Sequence, residues 1–353
     1  MRYPEFLKDG DTLGFPAPSF GCAGGPYALR FDNALRRWRR EGYRVVEYPN
    51  ARRADGIGIS STPESCGREL TEAWCDPETD VLISCGGGEL MCETLDYVDF
   101  DRIRAARPKW YMGYSDNTNF TFLLATLCDT ASVYGPCAAA FGMRTLHPSL
   151  KDAMALLRGE KRTLQGYKMY EVESLRDEEN PLAPYHLTRY RRIRAFDGER
   201  LLPLKSAEEP VPVAMEGRLM GGCLDVLANL AGTKYDRTAD FVSRYQDDGI
   251  IWFLEACDLN VFGIRRAVWE LDRAGWFRTA KGFLFGRPLA ARGQEMMGLD
   301  PYGAEMDLLK KYHVPILMDL DIGHLPPMMP LICGSYARVR CAGQEFEIAM
   351  ETR

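Results

Sequence analysis

The sequence predicts a two-domain α/β protein. The N-terminal domain (residues 1–150) is built on a parallel sheet of flavodoxin- or Rossmann-like type. A linker follows over 151–184, and then a smaller C-terminal mixed α/β domain of barrel-like form over 185–353. Three observations lead there. At 353 residues the chain exceeds the ~100–200 residues of a usual domain. Through the first 150 residues short β-prone runs alternate with helical patterns, which favours a parallel sheet covered on both faces. The acidic, proline-broken stretch Asp177-Glu178-Glu179-Asn180-Pro181 then interrupts the pattern, as linkers do.

Taken in order, Thr12-Leu13-Gly14-Phe15 reads as the first strand, closed by Pro16-Ala17-Pro18-Ser19. Residues 27–41 carry an amphipathic helical period ended by Gly42, 43–48 form a second strand, and 63–73 a second helix capped by Thr62. Val81-Leu82-Ile83-Ser84 is an apolar strand that leads through Gly86-Gly87-Gly88 into a helix over 89–95. A further strand ends at Gly113, the chain turns through Tyr114-Ser115-Asp116-Asn117, and an apolar helix follows over 120–127, with a short strand at 132–134. Beyond the linker, 211–215 reads as a strand, and Gly221-Gly222 leads into a helix over 223–231. The most apolar strand is Ile250-Ile251-Trp252-Phe253-Leu254. A helix over 261–274, a strand at 282–286, a helix over 304–312 and short strands at 316–318 and 337–339 complete the chain.

Composition narrows the function. A net charge of −6 argues against a nucleic-acid partner, and the basic runs 36–40 and 189–194 are short enough to be solvated faces. Residues 1–12 are charged and lack the apolar core of a signal peptide, and no run of about 18 apolar residues could span a bilayer. The 11 cysteines are an odd number with no Cys-x-x-Cys pair, so they read as reduced thiols of a cytoplasmic protein, without disulfide frame or zinc site. No metal or cofactor is expected.

The turn at Ser115 is where chemistry is expected. A serine between a strand and a helix is pushed out of the sheet with free backbone N–H groups beside it. Ser115, Asp116 and Asn117 are also good N-caps, so the turn reads as either device. Gly86-Gly87-Gly88 can turn N–H groups toward an anion; its spacing is not that of a dinucleotide loop, so a developing oxyanion is the better guest, and a tight turn needing positive φ the plain alternative. Cys85 reads as a buried strand-end thiol before a nucleophile. A serine needs a base, and there are four histidines. His147 precedes a proline, His186 follows the linker, and His313 caps a helix. His324 stands between Gly323 and Leu325-Pro326-Pro327 on a stiff loop past a strand. The acid is expected at the tip of a buried strand, which selects Glu255, with Asp258 in reserve. Ser115 precedes the linker and its two partners follow it, so the active site is expected between the domains.

These pieces resemble the LD-carboxypeptidase/microcin C immunity family of serine peptidases. The likeness covers nearly the whole chain: the opening segment 7–19, the loop 84–89, Gly113-Tyr114-Ser115-Asp116, Gly221-Gly222-Cys223-Leu224 with Ala231-Gly232-Thr233, Leu254-Glu255, and Asp321-Ile322-Gly323-His324. The resemblance implies a two-domain enzyme with a catalytic Ser115, Glu255 and His324, usually a homodimer, cytoplasmic and metal-free. It implies an oxyanion hole made by the backbone of Asp116 and of Gly87 or Gly88. The expected substrate is a small peptide, foremost the L,D-bond of a muropeptide. The alternatives are a microcin C-type peptide–nucleotide, for which Tyr185, Tyr190 and Phe196 could provide stacking, and a non-catalytic two-lobed peptide binder. Cys223, where such proteins often have asparagine, and Gly88-Glu89, where murein-recycling members tend to carry an aromatic and a glycine, are departures that bear on the substrate.

Overall fold

The structure, a computed structural model, describes residues 1–204 and 210–353. They form two compact units of nearly equal size: Met1–Lys161 with Glu173–His186, and Arg162–Val172 with Leu187–Arg353. The segment expected as a linker divides between them and carries strands Thr163–Gln165 and Met169–Glu171.

The first unit holds five parallel strands in the order Arg44–Glu47, Thr12–Phe15, Val81–Ile83, Trp110–Gly113, Ser132–Tyr134. In chain order this is 2-1-3-4-5, the flavodoxin-like doubly wound arrangement. Helix Gly25–Arg40 buries Phe31, Ala34, Leu35 and Trp38, the i, i+3, i+4, i+7 face its sequence period requires. Trp38 stacks on Phe15 of the first strand with ring centroids 5.0 Å apart, and burial of each such side chain contributes roughly 1.5–3 kcal/mol. Thr62 caps the helix Pro63–Cys75 by accepting from the Ser65 N–H. The winding reverses between strands Thr12–Phe15 and Val81–Ile83, and in such sheets ligands bind beyond the carboxyl ends of strands at that reversal. The opening turn, the glycine loop and the Ser115 turn all follow carboxyl ends of these strands.

The second unit is an eight-stranded sheet in the order Thr163–Gln165, Glu345–Glu351, Tyr336–Ala342, Pro212–Cys223, Ile250–Glu255, Ala280–Gly286, Ile316–Leu320, Arg194–Phe196. Its four central strands, from Pro212–Cys223 to Ile316–Leu320, run parallel, and antiparallel strands flank them on both sides. The barrel-like form expected from the sequence is therefore corrected: among the described residues the sheet ends in two edge strands. The strand expected at 211–215 continues to Cys223 through Gly221 and Gly222, because a side chain at Gly221 would overlap the Phe253 carbonyl of the next strand. Trp252, Trp276, Phe277 and Phe283 pack together behind the sheet. No described helix is long and apolar enough to cross a membrane.

Candidate active site

In the first unit the strand Trp110–Gly113 is wholly buried and ends where a side chain at 113 would meet Asn117 Cγ at 2.8 Å. Glycine is thus required for the chain to fold back on itself. Ser115 follows with φ +64°, a left-handed backbone that costs a non-glycine residue ~1–3 kcal/mol and is kept only where the surroundings impose it. Helix Thr118–Cys128, buried on almost every face, imposes it from one side and the strand from the other. A Cβ on Gly87 would lie 3.1 Å from the Ser115 Cβ and 3.2 Å from its Oγ, so the glycine loop borders the hydroxyl directly. Among the described residues, none of the backbone–backbone hydrogen bonds uses the N–H groups of Gly87, Gly88 or Asp116.

The neighbours of Ser115 do more than cap. Asn117, at the N-cap of the helix, makes no side-chain cap bond. Instead its Nδ2 donates to the Gly86 carbonyl at 2.8 Å and its Oδ1 accepts from the Tyr111 hydroxyl at 2.5 Å, tying the glycine loop to the Ser115 turn. Asp116 is buried and gathers three segments: its Oδ2 accepts from Ser19 Oγ at 2.5 Å and from the Met91 N–H at 2.9 Å, and its Oδ1 from Asn119 Nδ2 at 3.0 Å. Burial pushes its carboxyl up to about 6, against those hydrogen bonds. Ser19 and the Asp116 carboxylate are working parts that the sequence reading missed, because their partners lie far apart along the chain. Cys85 is fully buried, and burial holds its thiol well above the ordinary range, as the sequence reading expected of a packing residue.

In the second unit Glu255 ends the strand Ile250–Glu255 and is 1% exposed. Its Oε2 lies 2.8 Å from His324 Nδ1. A carboxylate can only accept, so Nδ1 carries a proton, and in the neutral ring the lone pair is on Nε2. Burial lowers the imidazole pKa, but the Glu255 charge and a hydrogen bond with the Cys257 thiol outweigh it and raise His324 well above its ordinary value. The loop is shaped for this pair. Gly323 has φ +92°, and a side chain there would meet Glu255 Cδ at 2.6 Å; a side chain at Gly286 would press on Glu255 Cβ from 3.0 Å.

Arg287, unremarked in the sequence, holds the loop from beneath. It donates to Asp321 Oδ1 at 2.7 Å and to the Asp319 and Leu325 carbonyls at 3.0 and 3.4 Å, while Asp321 Oδ2 accepts from the Tyr167 N–H. Asp258, the reserve acid, is exposed; its N–H and that of Cys257 are capped by Asp225. His147 accepts from the Ser149 N–H as the cap of helix Pro148–Leu157, and His186 contacts the Glu173 carbonyl at 3.1 Å. His313 ends the short helix Lys310–Tyr312 in a left-handed conformation. Cys223, the cross-strand partner of Glu255, brings a third ligand-type atom, and the three atoms lie within 4.8 Å of one another. Burial and then the Glu255 charge raise the Cys223 thiol well above its ordinary value. Of the three aromatics considered for stacking, Phe196 is buried, Tyr185 is flanked by His147 and Arg176, and Tyr190 alone is exposed.

A strained serine beside a glycine loop on one unit, and a buried acid–imidazole pair on the other, are the parts of a nucleophilic hydrolase. The chain matches the LD-carboxypeptidase N-terminal domain over residues 13–135 and the LD-carboxypeptidase C-terminal domain over residues 216–339. It belongs to the LD-carboxypeptidase family and is a peptidase of that family. It is 25% identical to the microcin C7 self-immunity protein MccF of Escherichia coli, covering 93% of this chain and 90% of that one. It is also 25% identical to a probable murein peptide carboxypeptidase of Bacillus subtilis, covering 96% and 92%. Its fold is similar to the crystal structure of an MccF-like protein from Bacillus anthracis, with a TM-score of 0.79 at 20% identity and full coverage of both chains.

Proposed function

We propose that the chain is a serine carboxypeptidase that cleaves an L,D-amide bond of a muropeptide through an acyl-enzyme. Ser115 Oγ attacks the carbonyl carbon, and His324 takes its proton and later delivers it to the leaving amine. Glu255 keeps the imidazole in the working tautomer and offsets its charge. The N–H groups of Asp116 and of Gly87 or Gly88 hold the oxyanion, and losing one such donor typically costs ~10²–10³ in turnover.

The observation that carries the reading is the left-handed backbone of Ser115. A capping serine needs no such strain, whereas an exposed nucleophile on a strand-to-helix turn does. The buried Glu255–His324 pair supports the base assignment. Among substrates, the murein peptide carboxypeptidase relative supports the muropeptide. MccF supports the peptide–nucleotide, but the post-linker aromatics offer one exposed ring in place of three. The second reading is therefore amide cleavage of such a conjugate, and the third a peptide binder without turnover. The eleven free cysteines suit a reducing cytoplasm. A homodimer is part of the proposal, checked by sedimentation.

A serine-directed phosphonate should label the protein at Ser115, and Ser115→Ala should abolish labelling. No labelling sinks the enzyme readings and leaves the binder. Side-by-side hydrolysis of an L,D-tetrapeptide and of an aspartyl-sulfamoyl-nucleoside should favour the tetrapeptide; the reverse ranking assigns the conjugate.

A further inference from the structure

The second unit holds a cavity of about 300 Å³ whose wall is charged. Glu305, Asp319, Tyr302, Arg287 and Arg292 are among the residues that line it. Glu305 is 3% exposed and, among the described residues, its carboxyl has no hydrogen-bond partner; burial, and then the charges of Asp319 and Asp300, push it well above the ordinary carboxylate range. The Nε of Arg287 is likewise buried without a partner among the described residues, although the Nη atoms of the same guanidinium are engaged. Asp319 accepts from the Tyr302 hydroxyl at 2.6 Å, and the Arg194 guanidinium lies over the Tyr302 ring at 3.9 Å, so the cavity wall is braced.

Buried polar groups are nearly always paired, and each one left unpaired costs ~1–3 kcal/mol. Here an unpaired carboxyl and a guanidinium with one unpaired nitrogen belong to residues that line one cavity. A carboxylate ligand alone would satisfy Arg287 and meet repulsion from Asp319. An ammonium ligand alone would satisfy the acids and oppose the guanidinium groups. An α-amino-acid head group carries both charges on adjacent atoms, and the volume suits a group of that size.

We infer that this cavity recognises an α-amino-acid head group, its ammonium set toward Glu305 and Asp319 and its carboxylate toward the exposed Arg292, beside the Arg287 guanidinium. The occupant touches the guanidinium that holds the Leu325 carbonyl, one residue past His324, so recognition and the catalytic loop share a side chain. Two sources present this chemistry. One is the free end of a diamino-dicarboxylic residue within a peptide substrate, a source that rests on the muropeptide reading. The other is a free amino acid, such as the one hydrolysis releases.

Calorimetry on the full chain carrying Ser115→Ala separates them. One pair of titrants is a tetrapeptide with meso-diaminopimelate as its third residue and the same peptide with lysine there, which lacks the side-chain carboxylate. The other pair is D-alanine and D-alaninamide. The intact head group should bind about 10–100-fold tighter than its truncated partner, the worth of a charge-assisted pair. Glu305→Gln and, independently, the exposed-site variant Arg292→Ala should erase that ratio. A ratio in the peptide pair assigns the substrate branch; a ratio in the D-alanine pair alone assigns the free amino acid. Equal behaviour within both pairs, or a ratio that survives both substitutions, overturns the site. The peptidase reading fails by a different result, an unlabelled Ser115 in the wild type.

Discussion

Gly323→Ala tests the proposed catalytic loop most directly, because the structure separates two costs that such a change usually mixes. The first is conformational. Gly323 sits at φ +92°, where an alanine pays ~1–2 kcal/mol whatever surrounds it. The second is steric. The new Cβ would lie 2.6 Å from Glu255 Cδ and 2.7 Å from Cγ, well inside contact distance. Glu255 cannot yield cheaply, because it is 1% exposed and a substituent's width from Gly286 on its other side. The carboxylate or the imidazole must move by some tenths of an ångström to one ångström, and a misplacement of that order costs ~10²-fold in rate. Gly232→Ala supplies the control: it has φ +74° and open space where its Cβ would go. Both variants should lose ~1–3 kcal/mol, or about 2–12 °C in melting temperature for a unit of this size. Only Gly323→Ala should slow phosphonate labelling and peptide hydrolysis, by ~10²-fold. Should Gly323→Ala label at the wild-type rate, or should the two variants lose rate equally, the claim that Gly323 exists to admit Glu255 is wrong.

The pH profile follows from the same pair. His324 must be neutral to act as a base, and Glu255 and Cys257 hold its pKa above the ordinary value, so labelling should fall as pH drops through that raised pKa; Glu255→Gln should move the acid limb to lower pH while lowering the plateau. A raised histidine pKa stabilises the fold fully below about 6.5 and less as pH rises through the folded value, so the stability gap between wild type and Glu255→Gln should narrow on the alkaline side in denaturant titrations. Asp116 follows the same sign at lower pH. Its carboxyl is raised from 3.8 to about 6, so its contribution is complete below pH 3.8 and declines by ~3 kcal/mol as pH rises through 6, a drop absent in Asp116→Asn. Asp116→Ala, which strands Ser19, Met91 and Asn119, should cost ~2–5 kcal/mol by urea unfolding. Arg287→Ala leaves the buried Asp321 charge without its ion-pair partner, and should cost ~3–5 kcal/mol in the same assay.

The elements that were legible in the sequence are those whose signal is local. Period-2 and period-3.6 patterns located Thr12–Phe15, Gly25–Arg40 and Ile250–Glu255 to within a few residues. Others were not, for reasons visible in the fold. Strand Glu345–Glu351 alternates cleanly between buried and exposed residues, but its charged outer face masked the pattern. The helix expected over 304–312 divides into Pro301–Met306 and the short turn Lys310–Tyr312, since Asp300 caps it early through the Gly303 N–H. Of the proposed site, Ser115, Glu255 and His324 could be singled out from the sequence because each stands at a strand end or beside a glycine, a position that can be read from neighbouring residues.

What joins those positions was not readable in that way. Asp116 acts through Ser19, 97 residues away, and Arg287 through Asp321 and Leu325, 34 and 38 residues on. Neither carries a motif, because the chemistry lies in the partner and the partner is chosen by the sheet order. Gly323 is the intermediate case. Its place before a histidine suggested stiffness, yet the reason for glycine is the Glu255 side chain 68 residues earlier, which occupies the space a Cβ would need. A glycine of this kind is a recorded contact, and it explains why the tip of a strand and the loop beyond another can share a single hydrogen bond of 2.8 Å.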